Sequence, residues 1–206
     1  MMRAISAVPL LVVLSLAALA AGILWSDAGG KDPRVATAAG DTAVGEFTPV
    51  SPPRPAPELS FASRGGEMRH LADFRGKVLL VNLWATWCGP CVREMPSLER
   101  LQADLGDRLM VLAISEDRGG AHVVEPFIAE HGLKHLAIYL DEDSAAQSAF
   151  HLRGLPTTFL VDANGRIRAM LEGGAEWDSP KIRALVELYL PSEDTSGGII
   201  KTAVPR

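Results

Sequence analysis

The chain has 206 residues, 48% of them apolar and 22% charged, with a formal charge of -5 at pH 7. That length leaves room for one ordinary domain plus extra segments, and the composition is that of a folded protein. No stretch supplies the clustered Lys and Arg that phosphate binding needs, so nucleic acid is excluded as a partner.

After Met1, Met2 and Arg3 an uncharged run extends from Ala4 to Trp25. As a helix it would reach about 33 Å, enough to cross a hydrocarbon core. The competing reading is a cleaved signal peptide, with Ala18-Leu19-Ala20 as an A-x-A-like site. Ile23, Leu24 and Trp25 carry the apolar run past that site, which favours residues 1–25 as an uncleaved anchor. Either way the chain is exported. With Arg3 held in the cytoplasm, the expectation is a single-pass protein of the inner membrane whose catalytic domain lies in the periplasm or outside.

Residues 26–57 turn to Ala, Gly, Thr and Asp and then to Pro49, Pro52, Pro53, Pro55 and Pro57, a composition that reads as a tether whose proline-rich half is extended. A folded domain is expected over 58–190. Its elements are a short strand near Leu59–Phe61, a turn at Gly65-Gly66 and a buried central strand from Val78 to Trp84. A helix from Pro90 to Leu105 follows, kinked at Pro96, with Val92, Met95, Leu98, Leu101 and Leu105 at helical spacing. Next come a strand at 109–115, a helix at 123–131, a strand at 137–140 and a short helix at 144–150. A hairpin of strands 158–161 and 167–171 turns at Asp162–Gly165, and a closing helix runs from Ser179 to Leu190. Residues 191–206 read as a solvated, disordered tail. Strands interleaved with helices and finished by an antiparallel pair make an α/β domain with a mixed sheet.

The two cysteines stand in Trp87-Cys88-Gly89-Pro90-Cys91, where the central strand gives way to a helix. Thiol–disulfide exchange needs one accessible thiolate to attack and a second thiol to resolve the mixed disulfide. Cys88 at the helix start meets the free N–H groups and the positive end of the helix dipole, while Cys91 lies one turn on and deeper. Glu94, three residues further, falls on the side of Cys91, where a carboxylate opposes thiolate formation and makes the pair more reducing; a solvated surface Glu is the bland alternative. A zinc site would need two more ligands, and His131 and His135 are too far along the chain for a zinc finger. Val92 stands where haem attachment requires histidine. A purely structural disulfide closing so short a loop would constrain little of the unfolded chain. The chemistry therefore calls for no cofactor or metal beyond the Cys88–Cys91 pair.

Over about 57–190 the chain resembles the thioredoxin superfamily, and within it the TlpA-like and ResA-like membrane-anchored thiol:disulfide reductases. The resemblance rests on the stretch from Val81 to Cys91, on Arg93-Glu94-Met95-Pro96, on Gly154-Leu155-Pro156-Thr157-Thr158-Phe159 and on Gly174-Ala175-Glu176-Trp177. It implies a thioredoxin-like mixed sheet flanked by helices, a cis Pro156 facing the cysteines, and a Leu155 backbone offered to the substrate strand. It also implies that Glu94 tunes the thiols. Asn82 falls where cytoplasmic thioredoxins carry a buried aspartate, so Glu94 or water must handle protons here. Trp84 reads as core and Trp87 as surface shielding the substrate side.

Three functions compete. The first is a reductase of disulfides on exported clients such as cytochrome c or cytochrome oxidase assembly factors, recharged by a thiol/disulfide electron donor in the membrane. The second is an oxidant or isomerase of folding proteins, against which the Gly-Pro dipeptide speaks, because thioredoxin carries it at about -270 mV. The third is a Cu(I)-binding chaperone, which lacks a nearby Met or His in the motif.

Overall fold

The structure is a computed structural model and describes residues 47–190. The expected anchor over 1–25, the linker up to residue 46 and the expected tail lie outside the described residues. Among the described residues no helix is long and apolar enough to cross a membrane.

The described chain runs β1 (Thr48–Pro55), β2 (Ser60–Ser63), β3 (Met68–His70), a 3-10 turn (Leu71–Phe74), β4 (Leu79–Trp84) and α1 (Gly89–Leu105). It continues through β5 (Met110–Ser115), α2 (Ala121–His131), β6 (Ala137–Leu140), α3 (Ala145–Phe150), β7 (Thr157–Val161), β8 (Arg166–Glu172) and α4 (Pro180–Glu187). All eight strands form one sheet in the order β1-β8-β7-β4-β5-β6-β2-β3. β4 is parallel to β5 and antiparallel to β7, so the sheet is mixed.

Every residue of β4 is buried, as its unbroken apolar run requires of a strand covered on both faces. Side chains alternate across a strand, so Leu80, Asn82 and Trp84 share one face while Leu79, Val81 and Leu83 share the other. Leu80 and Trp84 join the core beneath α1 and α2 with Met95, Leu98 and Leu101. Leu79, Val81 and Leu83 join the opposite core with Phe61, Phe74, Phe150 and Phe159. The alternation therefore turns Asn82, a buried polar residue, toward α1.

The structure departs from the sequence reading in several places. The last part of the expected linker is strand β1, paired antiparallel with β8 and irregular between Pro49 and Arg54. Its prolines cannot donate to a ladder, but an edge strand leaves one side of the backbone unpaired and tolerates them. The folded unit thus begins upstream of residue 58, with Phe47 buried against Trp177. The closing helix ends at Glu187 rather than Leu190, and Ser179 stands at its N-cap without a side-chain cap bond. β3, at the far edge, is three residues long, too short to show a periodicity. Pro96 lies inside α1, which continues to Leu105.

Candidate active site

Cys88 is the N-cap of α1 and is bonded to Cys91 in a disulfide with Cα atoms 5.2 Å apart. The Cys91 N–H donates to Cys88 Sγ over 3.3 Å, an interaction that strengthens when Cys88 becomes a thiolate. Cys88 is 6% exposed and Cys91 is fully buried, a difference in access that suits Cys88 to attack and Cys91 to resolve a mixed disulfide. Pro90 occupies the first turn of α1, where its missing N–H leaves no helical bond unmade.

The Leu155–Pro156 peptide bond is cis, as the resemblance implies. Leu155 lines a cleft of about 850 Å³ together with Cys88, Trp87, Pro90, Val123 and Leu152. Trp87 is 71% exposed beside it, whereas Trp84 is wholly buried against Phe127. The loop bearing the motif is fixed by Asp117, which accepts from the Thr86 N–H at 2.8 Å and the Thr86 hydroxyl at 2.7 Å.

Glu94 is not a surface residue but is 2% exposed. Its Oε1 accepts from Asn82 Nδ2 at 2.9 Å, and its Oε2 from Trp177 Nε1 at 2.8 Å and the Ala175 N–H at 3.1 Å. Burial pushes its pKa up to about 7, against those three donors. The loop after β8 supplies two of the donors and is fastened to α1 by Ser97, whose hydroxyl accepts from the Trp177 N–H at 3.0 Å. Gly174 of that loop packs against α1, with the Pro90 carbonyl oxygen 3.4 Å from where its Cβ would stand. Asn82 Nδ2 also reaches Thr158 Oγ1 at 2.9 Å, its register partner on β7, while Asn82 Oδ1 has no partner. Half a turn of that amide would present Oδ1 to a protonated Glu94, so Asn82 can serve both charge states of the carboxyl.

The sequence reading named Cys88, Cys91, Glu94, Trp87, Leu155 and Pro156. It missed Trp177, Ala175 and Thr158 as partners of the Glu94 network, and Glu116 and Asp117 in the cleft. The strand parity of Asn82 was a signal for Thr158; nothing local ties Trp177 to a residue 83 positions earlier.

The Redoxin family profile matches residues 52–186, which include the cysteines, Glu94, the cis proline and Trp177. The chain belongs to the Redoxin family. It is 33% identical over 131 residues to thiol-disulfide oxidoreductase ResA of Geobacillus kaustophilus, covering 62% of this chain and 73% of that one. It is 34% identical over 115 residues to thioredoxin-like protein YneN of Bacillus subtilis, covering 55% and 66%. Among solved structures, the thioredoxin domain of a thiol-disulfide oxidoreductase of Bacteroides vulgatus superposes with a TM-score of 0.58 at 25% identity, over 66% of this chain and 96% of that one. This redoxin is a ResA/TlpA-like member of the thioredoxin superfamily and a thiol:disulfide oxidoreductase.

Proposed function

We propose that this oxidoreductase is an exported, membrane-tethered reductase whose clients are assembly factors of cytochrome c or cytochrome oxidase. The observation that carries the direction of electron flow is the buried Glu94, one helical turn beyond Cys91 and held in place from three sides. A carboxylate there opposes a second anion on Cys91 and so destabilises the reduced pair relative to the disulfide, which makes the pair a better donor of electrons. In the reduced protein the Cys88 thiolate attacks a client disulfide and forms a mixed disulfide. Cys91 then loses its proton to the Glu94 carboxylate and attacks Cys88 Sγ. The second client sulfur leaves, and the Cys88–Cys91 disulfide is restored with two electrons passed to the client. A thiol/disulfide donor in the membrane returns the pair to its dithiol form.

Export and tethering are supported by the uncharged run from Ala4 to Trp25, and reach by the residues between it and Phe47. Expressed in full, the protein is expected in the membrane fraction, with reduced Cys88 labelled by a thiol reagent that cannot cross the membrane. Deleting residues 4–25 is expected to abolish that labelling, and deleting the gene to lower the amount of haem-loaded cytochrome c or of assembled oxidase. A soluble protein beyond reach of the reagent would overturn the location; unchanged cytochromes and oxidase would overturn the clients.

A further inference from the structure

The cleft at Cys88 holds a buried glutamate that the exchange scheme leaves unused. Glu116 follows the last residue of β5, and its N–H donates to the Trp84 carbonyl at 2.8 Å. With Asp117 clamped to Thr86, these bonds fix the Glu116-Asp117 turn against the loop that carries Trp87 and Cys88. Glu116 is 7% exposed, lines the cleft with Cys88, Trp87 and Leu155, and has an Oε1 with no hydrogen-bond partner. A buried carboxylate with an unfilled acceptor is costly, whereas the neutral acid costs less.

Its surroundings favour the acid. Burial first and Asp141 second lift the Glu116 pKa to about 7, against a hydrogen bond from Ser144. Asp141 itself is held by the N–H groups of Ala145 and Ala146 at 3.0 and 2.7 Å, at the start of α3. Asp117 stands beside it on the same turn, and the Glu142 carboxyl reaches over Gly120 just before α2. Arg118 is the one base among the residues lining the cleft.

Attack by Cys88 forms the Cys88–client bond, breaks the client's S–S bond and expels one client sulfur as a thiolate. An alkyl thiolate is a poor leaving group because its thiol has a pKa of about 8.5. We propose that the Glu116 carboxyl protonates this expelled sulfur and is the client-side acid of the exchange. The proton moves from carboxyl to sulfur and leaves a client thiol and a Glu116 carboxylate; the electron pair of the broken S–S bond stays on the client. Solvent in the open cleft then returns a proton to Glu116. Two carboxyls thus serve different sulfurs, Glu94 the resolving cysteine and Glu116 the client. The assignment rests on the reductase reading above.

The test uses the reduced full-length protein in stopped flow against a dialkyl peptide disulfide and an aromatic disulfide, whose thiolate departs without a proton. Glu116→Gln is expected to slow the alkyl reaction about tenfold or more and to change the aromatic one by less than about twofold. In the wild type, the alkyl-to-aromatic rate ratio is expected to fall as pH rises through about 7, because the acid form is lost. Glu116→Gln flattens that fall, and Asp141→Asn, which removes the repelling charge but keeps the acid, moves it to lower pH. Equal slowing of both substrates, an unchanged alkyl rate, or a fall that stays put in Asp141→Asn would overturn the role of Glu116. A wild-type protein inert toward both disulfides would instead overturn the reductase reading, and with it this role.

Discussion

Cys91→Ala is expected to abolish turnover and to accumulate the protein as a covalent mixed disulfide between Cys88 and its clients. The two sulfurs are unequal: Cys88 opens on the cleft and receives the Cys91 N–H, whereas Cys91 has no exposure at all. A client therefore meets Cys88 first, and only Cys91 is placed to release it. Alanine is the better replacement because a serine would leave a hydroxyl in a wholly buried site and confuse a chemical loss with a folding one. Trapped partners are read on a non-reducing gel and identified by mass spectrometry. The reverse pattern, with Cys88→Ala trapping clients on Cys91, would contradict the assignment of attacking and resolving sulfurs.

The second large effect is on stability and follows from the same buried acid. Glu94 has a pKa of about 7 in the folded chain and 4.5 as its ordinary value, so the native state binds more protons than the unfolded one between those pH values. Stability must then fall as pH rises across that window, by about 3 kcal/mol from Glu94 if the full shift is expressed. Glu116 is shifted to about 7 too and adds a slope of the same sign. Carboxyls with lowered pKa work the other way. Glu99 accepts from the N–H groups of Lys134, His135 and Leu136, and Asp178 from Arg100, so both stabilise the fold once ionised and lose that below their ordinary range. The two senses together place maximum stability at about pH 5. Urea unfolding of the oxidised protein at a series of pH values measures the curve. Glu94→Gln is expected to flatten the decline toward neutral pH and to be more stable than wild type above pH 7; an unchanged slope would contradict a buried, proton-holding Glu94.

Much of this was legible in the sequence because local rules and tertiary context agree there. The run Leu79–Trp84 is buried on both faces as a central strand should be, and the motif falls where strand meets helix because Pro90 is suited to a first turn. The cis state of Pro156 came from the resemblance, since it has no local signature, whereas the spacing of Glu94, three residues after Cys91, already put its carboxyl on the side of that cysteine, a reading the resemblance reinforced. β1 was hidden because proline content argues against a ladder while saying nothing of a sheet edge, where one side of the backbone is free. The partners of Glu94 were hidden for a different reason: Asn82, Ala175 and Trp177 converge on it from β4 and from the loop after β8, contacts made only by folding. Nothing local singles out Glu116 and Asp117 after the strand, and only the packing of the motif loop against them brings them to the cleft.

The most direct test of the account is the equilibrium reduction potential of the Cys88–Cys91 pair, titrated against defined thiol buffers in the wild-type protein and in Glu94→Gln. A wild-type value near thioredoxin's, about -270 mV, is expected, and a variant value higher by about 30 mV or more, because the anion that opposes the Cys91 thiolate is gone. A wild-type value between about -180 and -120 mV, or a potential that Glu94→Gln leaves unmoved, would contradict it and favour oxidation or isomerisation of folding proteins instead.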